Sequence, residues 1–407
     1  MGFVSVEKLK QGLVLAANVH DVNHRLLLSK GQKIDQQHIR ILKIWGVLSV
    51  SVVGSGKDDE DPVTPIDAAA AGRIRDALNL LYRHADLNHP ILKEIYKNAL
   101  IHRLKGTFGS LPDPSRQAHP GGQNFPRPEK IDRRIDKTDL KLPDAPTIIT
   151  ELNQVIADPR TTSNDVAREV NKSPSLAAML LKIVNSAYYG FPAKIDRLTR
   201  AVTIIGTKEI SGLALGISVM QAFKDIPQEV LNMNAFIRHS LACGMISRIL
   251  AAQNNMAQTE QLFVSGLLHD IGKLIVHKYY PDHARACMDR GLSNDSAIFS
   301  TEKAIIGMNH AQIARRLLEK WNLPPELATN VIHHHSPDRA PNAKKAGIVH
   351  LADIITHGLG IGRSGERTIP HVDHAVVEAI VDSTDSIKMV TRQIVHQFAP
   401  LNAIFNG

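Results

Sequence analysis

The chain is poor in aromatics, in cysteine and in long apolar runs. Phe, Tyr and Trp make up 4% of its 407 residues. Any core must therefore be built from Leu, Ile, Val and Ala, a mix suited to packed helices. Two cysteines, Cys243 and Cys287, provide neither a disulfide framework nor a CxxC metal signature, and a reducing, cytoplasmic setting is expected. No apolar stretch reaches the roughly 18 residues that cross a bilayer, and Met1–Lys10 lacks a signal-peptide core, so no membrane partner is expected. Long Lys/Arg blocks and basic–aromatic interleaving are missing as well. The formal charge of +8 then reads as a slightly basic solvated surface, and nucleic acid is not an expected partner. There is no internal repeat.

What is present divides the chain into five parts. Residues 3–53 alternate the β-like runs LVLAANV, HRLLLSKG and VLSVSVV with breaks at Gly12, Asn23 and Gly31. Within them DQQHIRILKIWG reads as a helix: Asp35 caps it, Ile39, Leu42 and Trp45 follow at helical spacing, and Gly46 ends it. Residues 1–54 thus form a small α/β module. SGKDDEDPVTP (55–65) is a charged linker, and 66–106 is a helical segment with Ile74, Leu78, Leu81, Ile91 and Ile95 facing inward. Residues 107–138, with SLPDPSRQAHPGGQNFPRPEK, cannot build a core and read as a flexible linker. Residues 139–360 form the main domain, an all-α packing of roughly ten helices by apolar periodicity. Residues 361–407 are a helical tail with one helix from Asp373 to Gln397.

Within the main domain, Thr162 or Ser163 is placed to cap one helix. Pro174 starts the next, PSLAAMLLKIVNSAYYG, and Gly190 closes it; an apolar helical pair breaks at Gly206. Tyr188, Tyr189 and Phe191 read either as partly buried aromatics at a helix end or as a patch for a partner, with Asn185 as a helix-terminal hydrogen-bonder.

The polar residues on apolar faces carry the chemistry. His239 lies on the stripe Ala242, Cys243, Ile246, Leu250. His269 and Asp270 end the apolar helix LFVSGLLHD, where Gly272 can loosen the backbone. His310 shares a stripe with Ile313, Ala314, Leu317 and Trp321, in a helix that Asn309 can cap. His334 and His335 follow Val331 and Ile332 in a helix begun by Pro324–Pro325, and Asp353 sits between Val349 and Thr356. Imidazoles and carboxylates are the ligands that Zn, Fe, Mn and Mg accept in hydrolytic sites. A lone buried His is more often a hydrogen-bonded core residue, but seven such positions would each need a separate partner. Neighbours on a helix diverge by about 100°, so His269 and Asp270 can share a site only at a helix edge. His350, His357, His371 and His374 read as decoys.

LPDAPTIITELNQVIADPRTTSNDVAREVNKSPSLAAMLLKIVNSAYYG and AVTIIGTKEI, followed by HSLACG, VSGLLHDIGK, NHAQIARRLLEKWNLPPE, HHH and LADII, resemble the HDOD domain, the HD-related output domain of bacterial signalling proteins. The resemblance runs to about Gly358 and implies a mainly α, multi-helix HD-like fold preceded by the small α/β module. It places the HD-type metal ligands on His239, His269, Asp270, His310, His334, His335 and Asp353. Lys273 matches a lysine that lies close to substrate phosphate in the related HD-GYP phosphodiesterases of cyclic di-GMP. Two departures stand out. No Gly-Tyr-Pro follows His335, and an extra acidic ligand of some HD-GYP enzymes would fall at Ala235. The N-terminal module is similar to the one that precedes some HD-GYP proteins.

The resemblance implies a regulatory signalling protein whose HDOD domain acts as an output or interaction module for a protein partner. The alternative is a metal-dependent phosphohydrolase acting on a nucleotide or cyclic dinucleotide. In that role Asp270 would bridge two divalent ions (Fe, Mn, Zn or Mg) and Lys273 would bind the phosphate.

Overall fold

The computed structural model describes residues 2–6, 9–20, 26–44, 49–53, 68–108, 140–158, 160–186, 189, 191, 193–228, 230–293, 298–366 and 368–405. Trp45, Gly46, the linker 55–65, Tyr188, Gly190 and all of the 107–138 linker after Phe108 lie outside them.

The N-terminal module pairs strand β1 (Gly2–Ser5) antiparallel with β4 (Ser49–Val52), Val4 opposite Val50, and β2 (Val19–His20) with β3 (Leu26–Leu28). Helix α1 (Gln36–Ile44) lies between β3 and β4 in sequence. Asp35 starts it, its carboxylate accepting the His38 backbone N–H at 2.7 Å. Leu15, Ile34, Leu42, Val50 and Val52 close a small core of its own.

Helices α2 (Ala68–Leu81) and α3 (Pro90–Leu104) follow. The main domain begins with α4 (Thr147–Ala157), α5 (Ser163–Asn171), α6 (Pro174–Val184), α7 (Leu198–Ile205) and α8 (Thr207–Gln221). It continues with α9 (Met233–Gln253), α10 (Thr259–Leu268), α11 (Ile271–Tyr279), α12 (Pro281–Ser293) and α13 (Ile298–Ile305). It ends with α14 (His310–Lys320), α15 (Pro325–Ile332) and α16 (Ala343–Leu359), and the tail supplies α17 (His374–Ile380) and α18 (Thr384–Phe405). Aliphatic side chains from Leu78 to Leu401 form one continuous core, so α2, α3 and the tail share it with the main domain. No helix among the described residues is long and apolar enough to cross a membrane.

Local chemistry sets most helix ends. Thr162 caps α5 in a reciprocal capping box with Asp165, and Asn309 caps α14 in one with Gln312. Gly206, at φ 109°, separates α7 from α8. Two expected helices are shorter than their patterns. α6 stops at Val184, because the Asn185 side chain turns back to Leu181 O and across to the Ile195 backbone at 2.7 and 2.8 Å. Tyr189 and Phe191 then pack, half-buried and stacked, on the core. The tail helix is broken at Val381–Ser383, with Asp373 capping α17.

Candidate metal centre

Two pairs of adjacent residues leave their helices where one ligand must turn to join the other. His269 and Asp270 occupy the break between α10 and α11. His334 and His335 lie in the turn just after α15, not in the expected helix, because on a helix the two rings would diverge by about 100°. His239 projects from α9, His310 opens α14, and Asp353 and His357 stand one turn apart on α16.

Gly272 serves packing, not loosening. A methyl group there would sit 1.9 Å from the His310 carbonyl oxygen, so the bare backbone is what lets α11 lie against α14 and bring Asp270 to His310. Arg103 of α3 holds the other end of the site, donating to the Gly358 and His357 carbonyls at 3.0 Å each.

All seven residues singled out by the sequence meet in one place, grouped around the two oxygens of Asp270. Its Oδ2 is 3.3 Å from His269 Nε2 and 4.0 Å from His239 Nε2. Its Oδ1 is 3.2 Å from His310 Nε2 and 3.8 Å from His334 Nε2. His335 Nε2 is 3.1 Å from His310 Nε2. Asp353 Oδ1 stands 3.1 Å from His239 Nε2 and 3.4 Å from His269 Nε2. Ligand atoms about 2.1 Å from a shared ion, at tetrahedral or octahedral angles, lie about 3.0–3.4 Å from one another, and most of these separations fall there. Asp270, His310, His334 and His335 form one group that could hold a metal ion; His239, His269 and Asp270 form a second.

The tautomers agree with that geometry. His269 Nδ1 donates to Gly266 O at 2.8 Å, His334 Nδ1 to Val331 O at 2.6 Å, and His310 Nδ1 to a Glu302 oxygen at 2.7 Å. With Nδ1 donating in this way, each Nε2 faces the centre and would offer its lone pair to a bound cation in place of a proton, as a metal-ligating imidazole does. His334 Nε2 is buried there without a hydrogen-bond partner, and Asp270 Oδ1 and Asp353 Oδ1 face only imidazole nitrogens. Such groups are costly in a protein interior unless an ion or ligand engages them.

Electrostatics points the same way. Asp270, Asp353, Glu302 and Glu366 are buried around a single ammonium, that of Lys273, whose Nζ lies 2.8 Å from Asp270 Oδ2 and 3.3 Å from Glu366 Oε1. Burial resists charge on Asp270, Asp353, Glu366 and Lys273. Even so, facing charges on His269 and Lys273 hold the Asp270 carboxyl well below the usual carboxylate range. Burial also opposes the His269 cation, but Asp270 outweighs it and raises that imidazole well above its ordinary value. His310 is likewise pushed up to about 9, against burial, by Glu302. Burial lowers His239, and burial with neighbouring imidazoles lowers His334 and His335 far more, so these stay neutral and able to ligate. The excess of carboxylates must be balanced by protons on the other imidazoles or by bound cations.

The sequence reading missed four contributors. His357, expected to be a decoy, has its Nε2 3.3 Å from Asp353 Oδ1. Glu302 orients His310 through both ring and backbone N–H; its signal was an acid on the stripe Ile298, Ile305, Ile306. Ser364 and Glu366 arrive on the loop after α16, which has no periodicity to read. That loop lies on α9 because Gly362, at φ 66°, has no side chain: a Cβ would meet Ala235 O and His239 N at 2.3 Å. Ala235, where an extra acid was absent, instead accepts the Arg363 N–H at 2.9 Å. His350 is a brace, donating to His334 O at 2.8 Å while its Nε2 accepts the Asp373 N–H.

The sequence profile of the HDOD domain matches residues 142–337. A Treponema pallidum protein without a described function is 23% identical over 214 residues, which are 52% of this chain and 41% of that one. Among solved structures, an HDOD domain protein of unknown function from Geobacter sulfurreducens superposes with a TM-score of 0.53 at 18% identity, over 65% of this chain and 93% of that one. A Marinobacter aquaeolei protein provisionally named for signal transduction gives 0.54 at 18%, over 79% and 68%. A Shewanella amazonensis protein provisionally named a phosphohydrolase gives 0.51 at 22%, over 63% and 94%. At these identities the likeness is one of fold.

Proposed function

We propose that this chain, which carries an HDOD domain over residues 142–337, is a signal-transduction regulator whose helical domain holds divalent cations in a closed His/Asp centre and offers its outer surface to a protein partner. The observation that carries this reading is closure. His239, His269, Asp270, Lys273, His310, His334 and Asp353 are each at most 3% exposed; His335 alone of the ligand set is half-buried. The small crevice beside Lys273 has room for little more than a water molecule, and Ser364 and Gly365 form part of its wall.

His239, His269, Asp270 and Asp353 would hold one cation, and Asp270, His310, His334 and His335 the other. Five imidazoles against two carboxylates favour Fe, Mn or Zn over Mg, which prefers oxygen. Bound there, the cations would neutralise the buried carboxylates and lock α9, α10, α14, α15 and α16 to one another.

A second reading, a phosphohydrolase acting on a nucleotide or cyclic dinucleotide, is favoured by the place of Lys273 beside Asp270. Bound metal would supply Lewis acidity and an activated water. Lys273 would have to release Glu366 and Ser364 before it could take a phosphate oxygen. Metal analysis and phosphodiesterase assays on the full chain separate the two readings. Near-stoichiometric Fe, Mn or Zn without turnover of cyclic di-GMP or a generic phosphodiester supports the regulator; metal-dependent turnover by the wild type sinks it.

A further inference from the structure

One side chain at the centre, His357, is not used by those two cation positions, and with Asp353 and His239 it makes a further group. Asp353 Oδ1 faces His239 Nε2 at 3.1 Å and His357 Nε2 at 3.3 Å, and a ligand atom from each of the three residues falls within 4.8 Å of the others. The rings of His239 and His357 are 4.5 Å apart between centroids. All three residues are buried, and His357 Nε2 has no hydrogen-bond partner. A buried imidazole nitrogen left unpaired is unfavourable, and a cation shared with Asp353 removes that cost.

The backbone is built to hold this arrangement. Asp353 and His357 are four residues apart on α16 and therefore share a face, while His239 reaches them from α9. Arg103 fixes the end of α16 through the His357 and Gly358 carbonyls. Two imidazoles and a carboxylate are a donor set that Zn, Fe or Mn accepts with coordination positions to spare.

We propose that His357 is a cation ligand, closing a third divalent-cation position with Asp353 and His239. Asp353 would then be shared between this position and that of His269, and Asp270 between that of His269 and that of His310. His239 reaches both carboxylates through Nε2 alone, so with every position filled it would pass from the cation it shares with His269 to this third one, leaving His269, Asp270 and Asp353 on the former. The inference rests on the reading that the centre takes cations at all, and the test separates the two.

Full-length protein is stripped with chelator, reloaded with Mn²⁺ and dialysed to equilibrium, and bound metal is counted in wild type, His357→Phe and His357→Gln. Wild type is expected to hold three equivalents and each folded variant one fewer. Two equivalents in wild type and in both variants overturn the third position and leave the other two standing; none in wild type overturns both readings. Anomalous scattering from Mn²⁺-loaded wild-type crystals checks the same point without a variant. A peak between His239, Asp353 and His357 is expected, and its absence beside occupied neighbouring positions refutes the proposal.

Discussion

Helices α4–α8 and α9–α16 share one apolar core and are chemically opposite. The first group contains no histidine, and its buried polar residues are Glu169, Ser211 and Ser218. The second turns His239, His269, Asp270, Lys273, His277, Glu302, His310, His334, Asp353 and His357 into its interior. The first group can be held by apolar burial alone. The second must balance charge, so its stability is tied to ions and pH as well as to packing. A patterned core and a ligand cage thus sit side by side in one continuous apolar cluster.

The largest expected effect comes from taking the anion out of the cage. Asp270→Ala leaves His269, Lys273 and His310 without their shared carboxylate and should cost about 3–5 kcal/mol. Bound metal should be lost as well. A melting curve and elemental analysis measure both, and a variant that keeps its metal would break the assigned role. On the other side, Leu213→Ala in α8, at 1% exposure, should cost about 2–5 kcal/mol by opening a cavity. It should leave metal content unchanged; a parallel loss of metal would show that the two groups are not chemically separate.

Glu302→Ala should weaken metal binding about 10–100-fold by freeing the His310 ring, with a smaller loss for Glu302→Gln, read by competition with a chelator. Acidification should also distinguish the groups. Burial lowers His277 to about 4 and His357 to about 3, below the value near 6.5 expected in the unfolded chain. Between pH 6.5 and 4 the unfolded state therefore binds more protons, and stability falls as pH falls. In metal-free protein, amide exchange should report the loss in α11 and α16 before α5 and α8. The smallest effect is Thr162→Ala, about 1 kcal/mol for a lost cap, with metal content untouched.

The sequence was most readable where short-range chemistry decides. The caps at Thr162 and Asn309, the proline starts of α6 and α15 and the break at Gly206 all follow from residues within one turn of the feature. It was least readable where a distant group intervenes. Asn185 ends α6 early by bonding Ile195, ten residues away, and Gly272 answers to the His310 carbonyl in α14. Glu366 reaches Lys273 from a loop with no repeating pattern.

By itself the sequence determined the chemical inventory of this protein. It is helical because its apolar residues recur at helical spacing, and it carries a ligand set because His and Asp stand where apolar side chains were expected. Only the tertiary structure decided that these residues converge, that His357 joins Asp353 and that Ser364 and Glu366 close over Lys273. Periodicity specifies which face of a helix turns inward. The distance between two inward faces is fixed by how closely backbones approach, at places such as Gly272 and Gly362, and that is a property of the packed whole.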